Sequence, residues 1–302
     1  MQKETPGKGA GRRGTYRPQY SARDPLSEIL DAMTRDGFPP VDGALTADGR
    51  LHRYRVVGDK PGTRNGWYVI HLDGVPGAAY GSWRAGVSST WRARDPATEA
   101  ERQEQRQRME AARRQRDAEQ ARQHERAATR AANLWRKARP ADPEHPYLTA
   151  KGIPPLKARQ LGERLVLPLY RLDRRLSSLQ FIDGDGTKKL LSGGRKRGCF
   201  IPVAGRADAA SRLLICEGWA TGASLHRLDP EALVLASVDA HNLQAVATGA
   251  RAQWPHLPIV VCADDDAVGE QKARAAALAA GGRVALPPEG CSDFNDALQG
   301  DV

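Results

Sequence analysis

The stretch Leu213-Leu214-Ile215-Cys216-Glu217-Gly218-Trp219-Ala220-Thr221-Gly222 decides the fold of this chain. It opens with an apolar run that is typical of a buried strand, and the run stops abruptly at a carboxylate followed by glycine. Residues that are compatible with a helix come next. In an open parallel α/β sheet, ligands bind at the carboxyl ends of the strands. Glu217 therefore occupies a position where a ligand is expected.

The same pattern recurs about forty-five residues further along the chain. The apolar residues 257–263 lead into Asp264-Asp265-Asp266, and Val268-Gly269 follows. Two buried strands that end in acids place carboxylates together at one edge of a sheet. Proteins hold Mg²⁺ over a phosphate in this way. A helix N-cap is the alternative for these aspartates, and we expect one of the three to act as a cap.

From residue 212 onwards the pattern alternates between strands and helices. We predict strands at about 212–216, 232–237, 257–263 and 282–286, with helices near 220–228, 241–253 and 267–281. Such alternation predicts a parallel sheet that is covered by helices on both faces. The chain contains no G-x-G-x-x-G or Walker A sequence, so neither a dinucleotide site nor an ATPase site is indicated.

The preceding residues divide into four segments. Residues 1–22 form a basic tail for which we predict disorder. Residues 23–95 are predicted to form a short helix followed by a small antiparallel β-module, and residues 96–140 a long polar helix. Residues 141–210 are predicted to be a basic, β-rich subdomain. The α/β domain then covers residues 211–302, and the whole chain is of the α/β class.

Composition narrows the possible partners of this 302-residue chain. A formal net charge of +10 favours a polyanion, with nucleic acid ahead of a membrane. The four cysteines form no C-x-x-C pair, so we expect neither disulfides nor zinc. No apolar run approaches the length of a membrane span, and no signal peptide is recognisable. We therefore expect a cytoplasmic protein.

The aromatic residues of the N-terminal β-module allow two interpretations. The module carries several Trp and Tyr residues, together with arginines such as Arg53 and Arg55. In the first interpretation, the rings form a core and the arginines are solvated. In the second, the surface of the module is a platform on which the bases of single-stranded nucleic acid stack. Trp67, Arg53 and Arg55 are the candidates for such a platform. For any single aromatic residue, we favour the core.

Three segments of the C-terminal part resemble the Toprim domain, which bacterial-type primases, topoisomerases and some nucleases share. The matching residues are Glu217-Gly218, then Asp264, Asp266 and Gly269. The string 217–222 is similar to the EGYATA-type motif of plasmid and phage primases. Asp293-Phe294-Asn295-Asp296 resembles their closing D-x-N-D segment. The resemblance covers about residues 140–300.

A further segment favours the primases within this group. Residues 186–193 look like the lysine-rich loop that precedes the Toprim sheet in primase catalytic cores. Topoisomerases need a nucleophilic tyrosine, and no tyrosine lies beyond Tyr170. Toprim nucleases usually carry an ATPase domain, and this chain contains no ATPase sequence.

Two features of this chain differ from the larger bacterial primases. A zinc ribbon is absent from residues 41–91, and Thr221 stands where those enzymes carry an acid.

The resemblance implies a DNA primase that joins ribonucleotides on single-stranded DNA with Mg²⁺ or Mn²⁺, in plasmid or phage replication or transfer. The implied partners are template DNA, ribonucleoside triphosphates and a separate replicative helicase, with no membrane. A Toprim nuclease and a non-catalytic DNA-binding module are the alternatives. The implied catalytic residues and metal ligands are Glu217, Asp264 and Asp266, with Asp293 or Asp296 completing the metal site. The implied nucleotide- or template-binding residues are Lys188, Lys189, Arg195, Lys196, Arg197, Gly218 and Gly269.

Overall fold

The computed structural model describes residues 24–300. The tail of residues 1–22, for which we expect disorder, lies outside the described residues. The chain divides into two compact units, residues 1–118 and 119–302. Among the described residues, no helix combines the length and the apolar character needed to cross a membrane.

The first unit contains a helix and a four-stranded antiparallel sheet in the order β1-β2-β3-β4. Ile29 and Met33 of the helix are fully buried and pack in one core with Ile70 and Tyr80 of the sheet. The elements are α1 (Pro25–Arg35), β1 (His52–Tyr54), β2 (Gly66–His71), β3 (Gly77–Ser82) and β4 (Val87–Arg92). The sequence does not predict β4 as a separate strand, because three of its six residues are Ser or Thr and no alternation of apolar and polar residues marks it.

The long polar helix α2 runs from Glu99 to Lys137, and the boundary between the two units falls within it. Residues spaced three or four apart form ion pairs along it, for example Glu99 with Arg102 and Glu110 with Arg114. Such pairs and high intrinsic propensity stabilise a helix that buries little apolar surface.

The second unit begins with an antiparallel sheet in the order β5-β6-β7-β8-β9. Its elements are β5 (Arg139–Pro140), α3 (Pro146–Lys151), β6 (Arg159–Leu161), β7 (Arg164–Tyr170), β8 (Leu176–Ile182) and β9 (Lys188–Leu190). Leu165, Leu167 and Leu169 of β7 are fully buried. The resemblance to primase cores predicts that Lys188 and Lys189 belong to a loop. In the structure they lie instead in the edge strand β9, which pairs with β8.

The C-terminal sheet has the order β10-β12-β11-β13-β14. Its elements are β10 (Ile201–Ala204), β11 (Leu213–Cys216), α4 (Trp219–Leu228), β12 (Leu233–Ala236), α5 (Ala240–Gln253), β13 (Ile259–Cys262), α6 (Ala267–Ala280), β14 (Arg283–Ala285) and α7 (Phe294–Gln299). Strands β11 to β14 are parallel, whereas the edge strand β10 is antiparallel to β12.

Helices cover both faces of this sheet. Leu214 and Cys216 of β11 pack in the same cluster as Trp219 of α4, whereas Leu213 and Ile215 pack in the cluster that contains α5 and α6. Successive side chains of a strand point to opposite faces, so a strand that is buried on both faces is apolar throughout. The continuous apolar run before Glu217 therefore reflects the two-sided burial of β11.

Candidate active site

Glu217 and Asp264 follow neighbouring strands. β11 and β13 pair in parallel, with Leu213 opposite Ile259 and Ile215 opposite Val261. Each acid comes one or two residues beyond the carboxyl end of its strand. The pairing of the two strands therefore brings both acids to the same edge of the sheet.

Gly269 marks the point at which two of the carboxylates converge. A Cβ atom placed on this glycine would lie 3.0 Å from Oδ2 of Asp266 and 3.3 Å from Oε1 of Glu217. Gly269 is in the first turn of α6 and is buried. The absence of a side chain at Gly269 therefore keeps open the space between acids that are almost fifty residues apart in the sequence.

In both Asp266 and Asp293, one carboxylate oxygen caps a helix and the other faces the site. Oδ1 of Asp266 accepts hydrogen bonds from the backbone N–H groups of Val268 and Gly269, at 2.9 and 2.8 Å. Oδ1 of Asp293 caps α7 in the same way, and its Oδ2 accepts a hydrogen bond from the hydroxyl of Thr221 at 3.3 Å. Capping uses one oxygen of each aspartate, so the capping interpretation and the metal interpretation are compatible.

Three carboxylate oxygens at this edge are buried without a hydrogen-bond partner, namely Oε1 of Glu217, Oδ1 of Asp264 and Oδ1 of Asp239. The other oxygen of Asp239 pairs with Lys196. Burial, followed by the charges of Asp264 and Asp266, raises the pKa of Glu217 to about 7. Burial, followed by the charges of Asp293 and Asp266, raises the pKa of Asp264 to about 6. A bound cation would neutralise these charges and give the buried oxygens a partner.

The donor set suits a hard divalent cation, because Mg²⁺ prefers carboxylate oxygens and retains several of its waters. Within residues 24–300, no group of three or more His, Cys, Asp or Glu side chains stands ready to hold a metal ion. The fit to Mg²⁺ therefore rests on the type of donor and on the unpartnered oxygens of Glu217 and Asp264.

Of the two lysines of β9, Lys188 is the one associated with the acids. Its charge lowers the pKa of Asp264. Lys188 is an exposed residue of β9. Partial burial of its ammonium group and then the charge of Lys151 lower its pKa, against the attraction of the acids. Lys189 forms an ion pair with Asp183, with 3.0 Å between Nζ and Oδ2. Because side chains alternate along a strand, the two lysines point to opposite faces of β9.

The basic residues Arg195, Lys196 and Arg197 precede β10. Nζ of Lys196 lies 2.5 Å from Oδ2 of Asp239, whose charge also contributes to the raised pKa of Glu217. Arg195 and Arg197 are exposed, and Nε of Arg195 donates to the carbonyl oxygen of Arg197 at 3.2 Å. Lys196 is therefore committed to an ion pair, whereas both arginines face solvent.

Asn242 holds this basic segment, and the sequence analysis did not identify it as a site residue. Its side chain is 2% exposed. The Nδ2 group donates to the carbonyl oxygens of Ser237 and Cys199 at 2.8 Å and of Lys196 at 3.3 Å, and Oδ1 accepts from the N–H of Gly198 at 2.8 Å. A buried amide beside Leu243 in an otherwise apolar helix face was the available signal. Apart from Ser237, its partners could not be inferred, because they lie about forty residues away.

In the N-terminal module, Trp67 is a core residue rather than a platform for bases. Only 3% of it is exposed, and it packs with Val69 and Ala79. The guanidinium group of Arg53 lies over the ring of Trp83, 5.1 Å from its centroid, and donates to the carbonyl oxygen of Arg64. Arg55 is partly buried. A ring that is buried in this way offers no face to a base, so the platform interpretation of Trp67 is wrong.

The raised pKa values predict how the stability of the metal-free protein depends on pH. An acid whose pKa is higher in the folded state stabilises that state below the unfolded pKa, and this contribution is lost as the pH rises through the folded value. For Glu217 the loss occurs between the ordinary glutamate pKa of 4.5 and the folded-state pKa of about 7. Glu217→Gln should therefore have little effect at about pH 4 and should stabilise the metal-free protein by about 1–2 kcal/mol near pH 8.

Urea unfolding in the presence of a chelator measures this difference. Glu289→Gln is the matched control, since Glu289 is exposed, and its effect should not grow with pH. An effect of Glu217→Gln that is independent of pH would contradict the assignment of Glu217 to a repulsive cluster.

Comparison with known families agrees with this geometry. Residues 212–301 match the family model of the Toprim domain. The predicted α/β class and the resemblance to the Toprim domain are thus confirmed for this part of the chain.

Two curated relatives extend the similarity to most of the chain. A DNA primase TraC of Escherichia coli is 36% identical over 292 residues, which cover 89% of this chain and 27% of the relative. A second DNA primase TraC of Escherichia coli is 33% identical over 289 residues, which cover 89% of this chain and 20% of the relative. The chain thus spans about a quarter of the length of these relatives.

Among solved structures, the primase fragment of the bacteriophage T7 primase-helicase protein is 17% identical. The match covers 52% of this chain and 70% of that chain, with a TM-score of 0.41. A TM-score of this size is too low to support an argument.

Proposed function

We propose that this chain is a DNA primase that synthesises short RNA primers on single-stranded DNA by Mg²⁺-dependent nucleotidyl transfer, in plasmid or phage replication or transfer. The observation that carries the proposal is the pair of unpartnered carboxylate oxygens on Glu217 and Asp264 at the carboxyl edge of a Toprim sheet. The 36% identity to a DNA primase TraC over most of the chain supports it.

The acids have distinct roles in this proposal. Glu217 and Asp264 would hold the metal ion through their unpartnered oxygens, and Oδ2 of Asp266 lies close enough to contribute. Asp293 is an additional candidate ligand. Asp296 accepts a hydrogen bond from the hydroxyl of Ser292 and would complete the cluster. Bound Mg²⁺ would supply charge neutralisation for the reacting phosphate and would lower the pKa of the attacking 3′-hydroxyl.

Other residues would receive the nucleotide. Gly218 is the N-cap of α4, where free backbone N–H groups and the helix dipole favour a phosphate. Gly269 keeps space between the acids, as described above. Lys188 would pair with the triphosphate next to the acids, and the exposed Arg195 and Arg197 would contact the template backbone. Lys196 is paired with Asp239 and would position this segment.

The two lysines of β9 provide a matched pair for testing these roles. Lys188→Ala should raise the KM for nucleotides about tenfold, because it removes the cation beside the acids, a loss of about 1.4 kcal/mol. Lys189→Ala removes the same charge from the opposite face and should change the KM less than about twofold. Steady-state primer synthesis at varied nucleotide concentration measures both. Equal effects of the two substitutions would remove the specific role of Lys188.

The decisive test of the function is the incorporation of labelled ribonucleotides on single-stranded DNA in the presence of Mg²⁺ or Mn²⁺. We expect short RNA products that require the template, the nucleotides and the metal. Cleavage of DNA without nucleotides would establish a nuclease instead. DNA binding without either reaction would establish a binding module.

The proposal includes one further partner, a separate replicative helicase. The expected location of the protein is the cytoplasm.

A further inference from the structure

A groove runs beside β10, the antiparallel edge strand of the C-terminal sheet. One part is a cavity of about 470 Å³ that is lined by Tyr170, Phe200 and Trp254. The adjoining part has a volume of about 480 Å³. The two parts share Lys157 and Arg206 as lining residues, so they form one continuous depression.

This groove is separate from the acid cluster. Its wall includes Leu233, the first residue of β12, and Trp254, the residue that ends α5. Because α5 returns from the carboxyl end of β12 towards the start of β13, Trp254 lies near the amino ends of the parallel strands. Glu217 and Asp264 follow the carboxyl ends. Phe200 and Leu235 extend the groove along β10 and β12 towards the carboxyl end, and none of the acids of the cluster lines it.

Aromatic rings form the apolar part of the groove. Phe200 is 7% exposed and meets Trp254 edge to face, with the ring centroids 6.5 Å apart and the planes at 71°. Tyr170 exchanges two backbone hydrogen bonds of 2.9 Å with Phe200. Tyr170 and Trp254 remain partly exposed. Exposed rings supported in this way are the platforms on which bases of a single strand stack, each worth about 1–3 kcal/mol.

Cations surround the aromatic rings. Three cations, Lys157, Arg174 and Arg206, line the groove together with two acids, Asp208 in the first cavity and Glu231 in the second. Arg206 pairs with Asp208 at 2.7 Å. In the part of the chain that the structure describes, Lys157 and Arg174 form no ion pair. Burial lowers the pKa of Lys157, which is the expected effect on an ammonium group that lacks a counter-ion. The groove thus offers positive charge to an anion.

Two residues at the edge of the groove have a strained backbone conformation. Arg174 has a φ of 64° and Leu156 a φ of 45°, in the left-handed region that favours glycine. Both residues line the groove. A non-glycine residue in this region costs about 1 kcal/mol or more, and such strain is concentrated at functional sites. In the turn between β7 and β8, the strained conformation holds the guanidinium group of Arg174 at the groove.

We propose that this groove binds single-stranded DNA, with bases stacked on the aromatic rings and phosphates held by the cations. The combination of stacking surfaces with unpaired cations matches a strand in which base and phosphate alternate. The identification of the strand as the template rests on the proposed function, whereas binding itself does not. The groove would hold the template at a distance from the acids and keep it bound between successive additions.

Fluorescence anisotropy of a labelled thymidine oligonucleotide tests the proposal with the full chain, a chelator and no nucleotides. Trp254→Ala should weaken binding about tenfold through the loss of one stacking surface. Arg174→Gly should lower the slope of log K against log salt by about one unit through the loss of one phosphate contact. The same substitution relieves the left-handed strain, so the stability of the protein to urea should stay the same or increase.

Arg175→Gly is the matched control, because it removes the same charge from the same turn and Arg175 does not line the groove. Binding that is unchanged in both Arg174→Gly and Trp254→Ala would overturn the proposal. Competition by free nucleoside monophosphates as strong as that by the oligonucleotide would also overturn it, because the groove would then be a mononucleotide site. Normal groove binding in a chain without primer synthesis would refute the proposed function and leave the groove intact.

Discussion

Asp264→Asn should lower the rate of primer synthesis by about 10²–10³-fold, the usual effect of removing one preorganised charged group from an active site. The substitution keeps the shape of the side chain and removes the negative charge of the carboxylate. Oδ1 of this carboxylate is buried without a hydrogen-bond partner. The same change removes repulsion from Asp293 and Asp266. The metal-free variant should therefore be more stable than the unmodified protein near pH 8, although it is far less active.

Asp265→Asn is the control for this prediction. Asp265 lies in the same loop and is exposed, and its backbone N–H donates to the carbonyl oxygen of Ser292. Its substitution should leave both activity and metal-free stability nearly unchanged. Primer synthesis by Asp264→Asn at the unmodified rate, at saturating Mg²⁺, would show that Asp264 is not a metal ligand.

Gly269→Ala should weaken the apparent affinity for Mg²⁺ by about 10–100-fold, comparable to the loss of a residue that orients metal ligands. The new methyl group would lie 3.0 Å from Oδ2 of Asp266 and 3.3 Å from both Oε1 of Glu217 and the backbone oxygen of Asp264. The Asp266 carboxylate, which is the nearest of these groups, must therefore shift. Alanine is also favoured over glycine within a helix by about 1 kcal/mol. We therefore expect a loss of function without a loss of stability.

The Mg²⁺ dependence of primer synthesis and calorimetric titration with Mg²⁺ both measure this effect. Val268→Ala alters the adjacent residue, which is 52% exposed, and should not change Mg²⁺ binding. Normal Mg²⁺ affinity in Gly269→Ala would mean that the metal does not bind between these two acids. Reduced affinity together with strongly reduced stability would instead point to a packing defect.

Local sequence patterns were sufficient for the C-terminal sheet. Its four parallel strands and the helices α4, α5 and α6 lie within about two residues of their predicted positions, because two-sided burial requires a continuous apolar run. The parallel order then brings the ends of β11 and β13 together, so the sequence alone was sufficient to group the acids. One aspartate of the triplet was expected to act as a cap, and the cap is Asp266.

Features that depend on distant parts of the chain needed the structure. The antiparallel edge strand β10 precedes β11 in the sequence but pairs with β12, and no short pattern encodes that choice. The partners of Asn242 and the burial of Trp67 likewise depend on contacts between separate segments. The groove beside β10 combines rings and cations from three regions of the chain.

The amino-acid sequence by itself determined where strands end in acids, because strand burial and helix formation depend on residues that are neighbours along the chain. The tertiary structure decided which oxygens remain without a partner, which of Lys188 and Lys189 stands beside the acids, and that Gly269 leaves space between two carboxylates. These properties depend on the packing of elements that are far apart in the sequence, and burial and charge act through space.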